Sequence, residues 1–175
     1  EFTYLGRAGT YKDIGDNHSV ELGLDIAWTP KLTVSENTTA TKAPFGAIVR
    51  KNTWRTLAGL DFTYRYQPSQ SGLYKGVIWA TEVLQNNERR FDPNTQIPTD
   101  RVRAYAGYSY VQVKMGRHWR PGVMVDLSEN PDIAHRLQST YTAFLTYNIT
   151  EFQRLRLACA ETFVYVAGVA RSHTI

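Results

Sequence analysis

The chain is poor in the residues and runs that mark several large protein classes. It has one cysteine, Cys159, so an internal disulfide and a cysteine-based metal site are both ruled out. No stretch approaches the ~18 consecutive apolar residues that a membrane-spanning helix needs. The longest such run, Phe163 to Ala170, is interrupted only by Gly168 and is too short. The sequence contains no Gly-X-Ser-X-Gly elbow, phosphate loop, glycine-rich dinucleotide fingerprint or paired-cysteine motif, so no enzymatic chemistry is expected. His18, His118, His135 and His173 lie neither at a same-face strand spacing nor at an HxxxH spacing. No metal and no cofactor is expected. The 20 Lys and Arg against 16 Asp and Glu are scattered rather than clustered, which gives no footprint for nucleic acid.

What the chain does have is alternation. From His18 to Trp28, Val20, Leu22, Leu24, Ile26 and Trp28 fall on one face of an extended chain, and Ser19, Glu21, Gly23 and Asp25 on the other. The pattern returns from Trp54 to Tyr66: Trp54, Ala58, Leu60, Phe62, Tyr64 and Tyr66 alternate with Arg55, Gly59, Asp61, Thr63 and Arg65. Strands of this kind meet a different medium on each face. A mean hydropathy of -0.39 is what a barrel wall with half its residues polar would show, and it fits a soluble β-protein equally.

About eight strands are predicted: Phe2–Lys12, His18–Thr29, Thr53–Tyr66, Leu73–Gln85, Arg101–Lys114, His118–Asp126, Arg136–Tyr147 and Phe152–Phe163. The connections Asp13–Asn17, Gln67–Gly72, Met115–Arg117 and Asn148–Glu151 are short and rich in turn residues. Between them fall the longer Pro30–Asn52, Asn86–Asp100 and Leu127–His135. Bacterial outer-membrane barrels alternate short periplasmic turns with long extracellular loops in this way. The expected fold class is all-β, an up-and-down antiparallel meander of about eight long strands forming an arc of a transmembrane β-barrel. In this reading residues 1–175 are a single β-barrel segment, with a poorly patterned tail at 159–175. By parity the first strand starts, and the eighth ends, on the long-loop side, whereas complete barrels have both termini on the other side. The expectation is therefore a fragment whose partners include the missing strands of a parent barrel. The opening Glu1-Phe2-Thr3 carries no leader pattern, which fits a removed leader or a start partway through a longer protein.

Several stretches resemble a known family. Gly59 to Pro68 (GLDFTYRYQP), Gly72 to Lys75, and Trp79 to Leu84 resemble the C-terminal barrel of bacterial outer-membrane proteins labelled zinc-regulated TonB-dependent receptors or porin-like proteins. His118 to Asp126 and Thr150 to Leu157 look like their late hairpins, so the resemblance covers roughly Ser19 to Leu157. It implies residence in the bacterial outer membrane and passive or receptor-mediated passage of small solutes or ions. Two features depart from the family. The chain ends Arg171-Ser-His-Thr-Ile175 without a terminal aromatic, and no plug domain or energy-coupling box is present.

Candidate residues follow from the faces. If the apolar side meets lipid, Glu21, Asp25, Arg55, Asp61, Arg65, Glu82, Asp126, Gln138, Arg154 and Arg156 line a lumen. The structural alternative is that these charges pair across strands and fill a polar interior. Trp28, Trp54, Tyr64, Tyr66, Tyr74, Trp119, Tyr147 and Phe152 are the candidates for aromatic girdles at the two membrane interfaces. A soluble lipocalin-like ligand-binding barrel remains the alternative, and it demands the opposite orientation, with leucines inward.

Overall fold

A computed structural model describes residues 2–35, 48–72, 74–91, 98–130, 136–150, 152–166 and 172–174. The described residues contain no helix. Eight long strands follow one another: β1 (Tyr4–Ile14), β2 (His18–Ser35), β3 (Ile48–Tyr66), β4 (Lys75–Phe91), β5 (Pro98–Met115), β6 (Trp119–Glu129), β7 (Arg136–Asn148) and β8 (Arg154–Val166). A short β9 (Ser172–Thr174) lies beside the far end of β8. Strand order in the single sheet equals chain order, and every pairing is antiparallel. The fold is an up-and-down meander. Its first and last strands are not paired with each other, so the sheet is an open arc.

The strands run further than their alternation. β2 continues past Thr29 to Ser35 and β4 past Gln85 to Phe91, into connections expected to be loops. Backbone pairing can outlast a face pattern, because beyond the apolar band nothing selects which side chain points where. Pro30 falls where the β2–β3 register shifts, a place where a missing N–H is tolerated. The tail expected to be poorly patterned contributes Cys159–Val166 to β8 and forms β9. The centres of the three longer connections, 36–47, 92–97 and 131–135, lie outside the described residues, as do Leu73 and Glu151.

Two of the short turns share a design. β1–β2 and β5–β6 are each joined by three residues whose first is a glycine at positive φ, Gly15 at 67° and Gly116 at 71°. That left-handed geometry is nearly free for glycine and costly for a residue with a Cβ.

The two faces differ in crowding. All the buried strand residues, Gly23, Thr53, Gly59, Ala80, Glu88, Ala104, Phe144 and Thr146, lie on the face that carries the charges. No second layer covers that face. Burial there comes from curvature, which draws its side chains together and makes the polar face concave. Leu24, Leu60, Val83, Val123 and Leu127 stand on the other, convex face and are exposed. No large side chain among the described residues is fully buried, so this sheet has no conventional core.

Candidate functional site

Register turns the concave face into rows. One row crosses all eight long strands: Gly9, Gly23, Asp61, Glu82, Tyr108, Asp126, Thr140 and Thr162 are successive cross-strand partners. Gly23 makes room for its neighbour, since a Cβ there would strike the Asp61 carboxylate. Asp61 is thereby laid over β2, within reach of Arg7 at 3.4 Å, and Arg7 also stands 3.7 Å from Asp25. Arg65 donates to Glu21 at 3.0 Å. Arg55 donates to Asn86 at 2.9 Å and lies 3.6 Å from Glu88. On β1 to β4, then, the cations are matched with carboxylates on adjacent strands, the arrangement that favours opposite-charge pairs in sheets.

All ten residues expected to line a lumen lie on this concave face: Glu21, Asp25, Arg55, Asp61, Arg65, Glu82, Asp126, Gln138, Arg154 and Arg156. The structure brings Glu21 to Arg65, and Asp25 to Asp61 through Arg7, whereas Gln138, Arg154 and Arg156 sit apart on β7 and β8. Sequence reading passed over Lys114, Arg120 and Tyr108. Their parity gives them away: Arg120 alternates with Trp119, Pro121 and Val123 just as Asp126 does, and Tyr108 and Lys114 alternate with Val111 and Val113.

The convex face carries the aromatic candidates. Trp28, Trp54, Tyr64, Tyr66, Trp119 and Tyr147 all belong to it, while Tyr74 and Phe152 lie in short turns, Phe152 almost wholly exposed. Near the short turns, His18 packs against Tyr66 in a tilted pair with ring centroids 5.0 Å apart, and its Nδ1 is 2.6 Å from the Tyr64 hydroxyl. Trp119 packs on Tyr147 at 4.5 Å. At the opposite end Tyr4 meets Trp28, Arg101 lies over Trp54, and Gln85 donates to the Tyr105 hydroxyl.

The two aromatic rows keep a constant separation. Trp28 is ten residues from His18 along β2, and Tyr105 is ten from Met115, the partner of Trp119. Tyr147 is ten from Leu137, the partner of Tyr165. Ten residues of strand span ~33 Å. At the ~40° tilt of barrel strands this becomes ~25 Å, the height of the apolar band of outer-membrane barrels. Between the rows the surface is mostly Leu, Val, Ile, Ala and Phe; Thr81 and Ser109 interrupt it, their hydroxyls bonded to each other at 2.8 Å, and so do the charged Lys12 on β1 and Glu161 on β8, the two outermost long strands. More than a dozen such side chains about half exposed make a patch well beyond the ~300–600 Å² found on a typical soluble monomer.

No family model matches this chain, and neither a curated protein nor a solved structure matches it.

Proposed function

We propose that this chain forms part of the wall of a bacterial outer-membrane β-barrel of porin-like or receptor type, which mediates passage of small solutes or ions. The observation that carries this reading is the separation of faces: on β2 to β7 an apolar convex surface framed by two aromatic rows ten residues apart, and a concave surface holding most of the charges. A sheet without a buried core draws little stability from water alone, and lipid supplies the medium its convex face lacks. A soluble ligand-binding barrel would turn the leucines inward, and the placement of most leucines on the face opposite the charges, exposed, favours the membrane reading over it. Selectivity in such a wall comes from the fixed charges that solutes pass.

The experiment is refolding into phospholipid vesicles. The chain should bind and become protease-protected, and Leu24→Arg, placed midway between the aromatic rows, should weaken insertion by ~2–4 kcal/mol. Thr63→Arg on the concave face should insert as wild type does. Equal tolerance at both positions would refute the lipid-facing assignment.

A further inference from the structure

The β5 to β8 half of the concave face holds a row that the rest of the wall does not resemble. Lys114 and Arg120 lie across from one another, between the Gln112–Gly122 and Met115–Trp119 pairs. Arg120 pairs in register with Thr146, and Thr146 with Arg156. Three cations therefore share one row on four adjacent strands, and Arg154 stands two residues further along β8 toward the turn. Like charges directly opposite in a sheet repel. Arg7, Arg55 and Arg65 on the β1 to β4 half of this face each have a carboxylate neighbour, but none of these four cations makes an ion pair among the described residues. Asp126, the concave-face carboxylate on β6, lines the same cleft but is six residues from Arg120, ~20 Å along the strand, and makes no ion pair with these cations.

The side chains are held in place. Arg156 lies over the Phe144 ring at 4.0 Å, and Phe144 in turn occupies the space left by Gly122. Lys114 donates to the Gly72 carbonyl at 2.7 Å. The Arg120 Nε is buried and has no hydrogen-bond partner. Arg120, Arg154 and Arg156 line a cleft of about 510 Å³ that also carries Tyr108, Tyr110, Thr146 and, at its far end, Asp126, while Lys114 lines the neighbouring hollow on the other side of Arg120. Fixed guanidinium groups, an orphaned N–H and adjacent hydroxyls are the donors that recognise a tetrahedral or planar oxyanion.

We infer that the Lys114–Arg120–Arg156 row is a binding site for a small free oxyanion-bearing solute, with a phosphate or carboxylate group bridging Arg120 and Arg156. This deepens the pore reading by naming a substrate class, and it rests on that reading only in requiring that water reach the concave face. Bound anion relieves the repulsion along the row; empty, the row is a local source of instability.

The test uses the full chain refolded in a maltoside detergent that contains no phosphate. Inorganic phosphate is titrated against chloride at matched ionic strength, following the thermal midpoint by tryptophan fluorescence. Phosphate should raise the midpoint and chloride should not. Arg120→Gln and Arg156→Gln should each weaken the phosphate response by about tenfold, whereas Arg55→Gln, on the paired half of the face, should keep it. In phosphate-free buffer Arg120→Gln should melt above wild type, since it removes the repulsion. Arg156→Gln lies on an exposed strand and reads the site even if the β6 variant refolds poorly. Equal responses to phosphate and chloride, or an undiminished response in Arg156→Gln, would overturn the proposal. If added anionic lipid reproduced the shift and abolished the phosphate increment, the free-solute assignment would be overturned in favour of a headgroup. Vesicle refolding tests the membrane reading separately: a phosphate response in detergent without protease protection in vesicles leaves the site and removes the membrane wall.

Discussion

At Gly122 a methyl group would collide with the edge of the Phe144 ring, and the ring is also the platform for the Arg156 guanidinium. One missing side chain thus sets the position of two others, an aromatic lying over a strand glycine and a cation over the aromatic. Gly122→Ala is expected to displace the ring and cost ~1–3 kcal/mol, read as a lower urea midpoint of the refolded chain. Phe144→Leu should fill the same space while loosening Arg156, lowering stability less and phosphate response more. Asp61 offers the contrasting case. It receives Arg7, which is largely exposed, so Asp61→Asn should change stability by ~1 kcal/mol or less.

At the scale of elements, the three-residue turns govern pairing. Gly15 and Gly116 each open a turn in the left-handed region, with nothing near the position a Cβ would take. Gly15→Ala and Gly116→Ala should therefore act through the backbone alone, each costing ~1–2 kcal/mol and slowing refolding of its hairpin in stopped-flow measurements. The alternation of β2 and β3 was legible in the sequence because period two assigns a face without reference to any other strand. That is why parity alone groups Glu21, Asp25, Arg55, Asp61 and Arg65 on one face of the sheet. Which of them would touch was not legible. Arg7 reaches Asp61 across two strand pairings, and the Lys114–Arg120–Arg156 row exists only once three registers are set by turns and ladder bonds. Strand ends beyond Thr29 and Gln85 were equally hidden, because backbone bonding there leaves no mark on the side-chain pattern.

For the whole molecule, the outer backbone edge of β1 and most of that of β8 carry no strand among the described residues. Hydrocarbon has no water to satisfy such groups, and each one left open costs several kcal/mol. Planar-bilayer recording on the 175-residue chain by itself is expected to show no discrete, long-lived channel. Steady unitary currents would mean that the two edges meet.

The even separation of the aromatic rows has a further consequence, for which membrane suits the protein rather than for how it is built. Rows fixed at ~25 Å act as a ruler, and a bilayer of different thickness must stretch, thin or leave one row out of its interface, at fractions of a kcal/mol per Å of mismatch. Summed over eight strands, that penalty should sort the chain among lipids by acyl length. Insertion yield should peak in short-chain vesicles whose hydrocarbon is near ~25 Å and fall steadily as the chains lengthen toward the ~32–33 Å of sterol-rich membranes. Trp28→Ala and Trp119→Ala, each removing one mark from the ruler, should flatten that dependence without shifting its maximum.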